Sequence, residues 1–127
     1  MRTMFALFGL LIVSSPGFAH HGSAAYEAKL TTLKGTVTDF QVMNPHSEIS
    51  FDVRDATGKP AKWIGEAGSV TTMSRNGWTR NMLKPGDQIT VTGNRVKNGS
   101  NIMRLSKIVL PNGKEFFLER AEDYSDQ

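Results

Sequence analysis

Residues 33–118 predict a small, mainly β domain: five or six strands in an OB-like barrel, with one short helix between strands three and four. Three observations carry that prediction. Ile49, Phe51 and Val53 alternate with Glu48, Ser50, Asp52 and Arg54, the period of a strand with one buried face. Turn signals recur at Asp55–Gly58, Lys84–Asp87, Lys97–Ser100 and Pro111–Gly113. The period also changes to helical spacing once, after Gly68-Ser69. Three strands, a helix and then further strands is the element order of an OB-fold, whereas a sandwich would want more strands and no helix there.

In chain order, the first nineteen residues stand apart. Arg2 gives a positive start, Met4–Val13 is an uninterrupted apolar run, and Ser14, Ser15, Pro16 and Gly17 break any helix. Ten apolar residues are too few to cross a bilayer, which takes roughly 20. A retained buried helix is the alternative, but a basic start, a short apolar centre and small residues at Gly17 and Ala19 predict a secretory signal cut after Ala19. That cut removes Arg2 alone among the charges, leaving a net charge one below the +3 of the whole chain. So mild a balance does not suit nucleic acid. The absence of cysteine excludes disulfides, thiolate metal sites, a cysteine nucleophile and a lipid-bearing cysteine. An exported, periplasmic protein without a stable membrane anchor is the expectation.

Residues 20–32, mostly small and polar, read as a lead-in. Strand one follows from about Leu33 to Val42. Leu33, Gly35 and Val37 share a face, and Phe40 and Val42 break that parity, which predicts a bulge near Asp39. Asn44-Pro45-His46 ends the strand because Pro45 has no N–H to give the ladder. Glu48–Arg54 and Lys62–Ala67 form a hairpin across the Asp55–Gly58 turn. Ser69 is a good N-cap for a helix presenting Val70 and Met73, with Trp78 able to share their face, and ended by Asn76-Gly77; Thr79 is expected to start a further turn over Arg80–Leu83. Gln88–Gly93, Ile102–Leu110 and a short Lys114–Leu118 are the remaining strands, and 119–127 is a polar, acidic tail.

Several segments together resemble a family of small exported bacterial proteins, the domain of unknown function DUF6152. They are His20-His21-Gly22-Ser23, Leu33-Lys34-Gly35-Thr36-Val37, Asn44-Pro45-His46, Trp63, Arg75-Asn76-Gly77-Trp78 and Leu83-Lys84-Pro85-Gly86-Asp87. The resemblance implies an exported OB-like barrel and names no reaction. Met43 departs from it, standing where an aromatic residue is more typical.

Chemistry is sparse. No nucleophile motif or phosphate loop is present, and Glu48, Asp52, Asp55 and Glu66 read as solvated carboxylates, so no enzyme is expected. The first functional reading is a non-catalytic periplasmic binding or accessory domain for a protein or small molecule, contacting it through Asn44, His46, Trp63, Arg75, Trp78 and Arg80. The two tryptophans could stack on a ligand, although core anchoring is their commoner use. The alternative is copper. Cleavage after Ala19 would make His20 the first residue, whose α-amine and imidazole chelate one metal, with His21 or His46 as third nitrogen donor. A nitrogen-only set of that shape suits Cu(II). Met43, Met73, Met82 and Met103 could add thioethers, but scattered methionines more often fill core gaps.

Overall fold

The computed structural model describes residues 23–118. A 3-10 turn at Ser23–Ala25 leads into β1 (Tyr26–Gln41), β2 (Glu48–Arg54), β3 (Pro60–Glu66), α1 (Val70–Arg75), β4 (Gln88–Val96), β5 (Ile102–Val109) and β6 (Glu115–Phe117). The strands lie in the order β3-β2-β1-β4-β5-β6, and a parallel β3–β5 pairing joins the ends of the first five into a ring. This is the expected small mainly-β architecture, with its helix between β3 and β4. No helix among the described residues is long and apolar enough to cross a membrane.

β1 is the strand that bends the ring. Its first part pairs with β4 from Tyr26 to Thr36, and its last part with β2 from Thr36 to Gln41. The register against β2 slips between Val37 and Asp39, where the broken parity predicted a bulge. Gly35 allows the close approach at the crossing: a Cβ there would lie 2.7 Å from Phe51 Cδ2 and 2.8 Å from the Asp52 carbonyl oxygen. The strand begins earlier than expected. Residues 26–32, read as part of a lead-in, are strand because β4 supplies their partners.

Inward residues of every strand meet in one core. Val37, Ile49, Phe51, Val91, Met103, Leu105 and Ile108 are all buried within it. In β5 the alternation skips a residue, since Thr92 faces Lys107 while Gly93 faces Leu105, leaving Ser106 as the extra one. The bulge lets both Leu105 and Ile108 face inward, and the Ser106 hydroxyl donates to the Thr92 carbonyl at 3.1 Å.

α1 packs its face into this core. Ser69 caps it as expected, its Oγ accepting from Thr72 N at 3.2 Å, and Met73 is fully buried. Asn76 and Gly77, the latter at φ 82°, end it. The expected further turn after Thr79 is present, closed by Met82 N donating to Thr79 O. At the β2–β3 turn the Asp55 carboxylate accepts from the Thr57 hydroxyl and from the Thr57 and Lys59 amides. These bonds, the hydroxyl first, hold its pKa below the usual aspartate value.

Candidate functional site

The β1–β2 corner is pinned from two sides. Asn44 Oδ1 accepts from Val70 N at 3.1 Å, tying the corner to the start of α1. Ser47 is fully buried; its amide donates to Gly68 O and its carbonyl accepts from Ala67 N, both at 2.8 Å. Its hydroxyl also accepts from Met43 N at 3.3 Å. Four bonds hold this segment, which contains a cis Asn44–Pro45 bond, and leave His46 exposed at its tip.

Facing the corner is the β4–β5 turn. Ile64 N donates to Asn101 O at 2.9 Å and Lys97 N to Ala25 O at 3.0 Å, so the turn is fixed to β3 and to the start of β1. Within it Asn98 Oδ1 accepts from Ser100 N at 2.9 Å. Between the two loops lies an open cleft of about 640 Å³, inside the roughly 300–1,000 Å³ usual for small-molecule sites. His46, Ser69 and Thr72 line one side, and Asn98, Val96 and Ile102 the other.

The floor carries the charge. Glu66 and Arg104 are paired across the parallel β3–β5 junction, so two residues 38 positions apart become neighbours. The Tyr26 hydroxyl donates to Glu66 Oε2, and the Arg104 guanidinium sits 5.4 Å from the centre of the Tyr26 ring. Tyr26 thereby links the first residue of β1 to the β3–β5 junction. All three residues line the cleft.

Of the six ligand residues expected from sequence, only His46 lines this cleft. Asn44 shapes it from behind by holding the start of α1, so the corner meets the start of the helix and not its exit. Trp63 and Trp78 take the commoner of their two expected uses, core anchoring, and do not form a stacking platform: they are 7% and 5% exposed and belong to the core. Trp63 lies under Arg95, whose guanidinium is 4.8 Å from its ring centre, while Trp78 packs edge-on to Phe40 and tilted to Phe116. Arg75 and Arg80 are exposed, at the last residue of α1 and in the turn beyond it, away from the cleft lining. Met73 and Met103 are fully buried core residues. His20 and His21 lie outside the described residues. Among the described residues no group of three His, Cys, Asp or Glu could hold a metal, so His46 has no such companions there.

The residues that sequence reading passed over are Tyr26, Glu66, Asn98 and Arg104. The ring order itself was the available signal. In a barrel where strand three meets strand five, outward charges at the end of one and the start of the other become neighbours.

A five-stranded ring plugged by one helix, with a cleft between its β1–β2 and β4–β5 loops, defines a small β domain of OB-like architecture. Within that class the chain belongs to the family of unknown function DUF6152, whose model matches residues 8–104. No curated protein and no solved structure matches it.

Proposed function

We propose that the chain is a non-catalytic, periplasmic binding or accessory domain that holds its ligand in the cleft between the β1–β2 and β4–β5 loops. The observation that carries this reading is the position of the cleft: OB-folds take their ligands at these same two loops. Its walls combine apolar surface from Val96, Ile102 and Leu118 with the convergent polar groups of Tyr26, Glu66 and Arg104, the mixture that gives a pocket both affinity and orientation. Hydrogen exchange on protein mixed with cell-envelope extract tests it. Protection is expected in residues 44–48, 64–69 and 97–104, and His46→Ala with Asn98→Ala should reduce it. Protection confined to other segments, or none at all, refutes the proposal.

Copper is the second reading, supported by one feature of the cleft. Ala25 and His46 line it together, and His21 precedes Ala25 by four residues. Protein beginning at His20 should bind one Cu(II) far more tightly than protein with one extra residue ahead of it, and His46→Ala should weaken only the former. Equal affinities for the two forms in a competitive copper titration exclude such a site.

A further inference from the structure

We infer that the ligand of the cleft is an uncharged polyhydroxylated molecule, a short saccharide; this rests on the cleft being the binding site. The lining holds one carboxylate, Glu66, and one guanidinium, Arg104, with no excess of either sign. A phosphorylated ligand or a nucleic acid strand calls for a surplus of cations, which the lining lacks.

A peptide added as an extra strand needs an unpaired backbone edge. The main chain bordering the cleft is already engaged: Ser47 N with Gly68 O, Ala67 N with Ser47 O, Ile64 N with Asn101 O, and Leu118 N with Ser106 O. Pro45 has no N–H to offer. Recognition therefore falls to side chains, and these are of the planar, multiply bonding kind. A carboxylate accepts at about four lone-pair positions, of which the Tyr26 hydroxyl takes one at Glu66. An asparagine amide pairs with two neighbouring groups at once, the spacing that vicinal hydroxyls present, and Asn98 Oδ1 has a lone pair beyond the one that Ser100 N occupies. Ser69 and Thr72 add hydroxyls that both donate and accept, while Val96 and Ile102 give the C–H face of a sugar ring an apolar wall.

Titration of isotope-labelled full-length mature protein with maltotriose, cellotriose and chitotriose, followed by backbone NMR, tests the inference. Trialanine and inorganic phosphate serve as parallel probes. At least one trisaccharide should saturably shift residues 64–69 and 98–104. Losing one neutral hydrogen bond in Asn98→Ala should weaken that binding about 2- to 10-fold, and losing the ionised acceptor in Glu66→Gln about 10-fold or more. His46→Ala, altered at an exposed tip, provides a variant that keeps the fold. Trialanine or phosphate shifting these residues while no sugar does so overturns the saccharide assignment and leaves the cleft as a binding site. Silence of the cleft toward every probe overturns the assignment as well, and silence in the envelope-extract exchange experiment too removes the binding site with it.

Discussion

Gly93→Ala should lower stability by about 3 kcal/mol or more, at the upper end of what overfilling a packed site costs. For a domain of this size that is a fall in Tm of roughly 12 °C or more. The cause is local and severe. A Cβ on Gly93 would stand 2.0 Å from the Arg104 carbonyl oxygen, 2.8 Å from its carbon and 3.0 Å from Leu105 Cα. All three are backbone atoms, so no rotamer change relieves the clash and β4 must move away from β5. That movement strikes at the bulge where Thr92 faces Lys107 and Gly93 faces Leu105, and at fully buried Leu105 behind it. The consequence extends to the cleft, since the displaced carbonyl belongs to Arg104 on its floor. Urea denaturation followed by circular dichroism measures the loss. A change below about 1 kcal/mol would mean that β4 and β5 do not approach each other at Gly93 as described.

How much of this could be read from the chain depended on the range of the interactions. The alternation at Ile49, Phe51 and Val53, the Ser69 cap and the Asn76-Gly77 stop are set by neighbours within a few residues, and each appears where the sequence places it. The bulge near Asp39 was visible for the same reason, because broken parity is local. The start of β1 was not visible. Its first residues carry almost no apolar alternation, with Ala28 and Lys29 exposed and Leu30 51% exposed, and pairing with β4 some sixty residues later makes them strand. There the side chain of Asn94, itself 8% exposed, bonds the carbonyls of Glu27 and Ala28 across a register slip.

The candidate site was hidden for a related reason. Glu66 is bonded to a tyrosine 40 positions away and is paired with an arginine on a strand reached only after the helix. Seen alone in its strand, it has the pattern of a solvated carboxylate. The exposed place of His46 was legible because Pro45 has no N–H for the ladder, so the strand ends there in a surface corner. The tryptophans stayed open to two readings because residue type alone cannot separate a stacking platform from a core anchor; their burial decides it.

That distinction gives the second large effect. Trp78→Ala should cost about 3–5 kcal/mol, as for other large aromatics cut down inside a core. It would take most of the stability of a domain with a total near 5–15 kcal/mol. The indole lies between Phe40 of β1 and Phe116 of β6, with its ring centre 5.9 Å from that of Phe40 and 5.1 Å from that of Phe116. Removing it deprives both rings of their partner and opens a void that the rigid ring of strands cannot close. Trp78→Phe separates volume from polarity. Trp78 Nε1 is buried and has no hydrogen-bond partner among the described residues, so phenylalanine keeps much of the packing and drops a donor whose burial is unfavourable. The phenylalanine variant should therefore lose less than half of what alanine loses, measured by the same denaturation. Ligand binding discriminates further. A tryptophan that anchors the core alters affinity only by lowering the folded fraction, so cleft binding by the folded part of Trp78→Phe should equal that of the unaltered chain. If that variant stays fully folded yet binds more weakly, Trp78 reports on the ligand after all, and the division drawn between the plug of the barrel and the cleft on its flank is wrong.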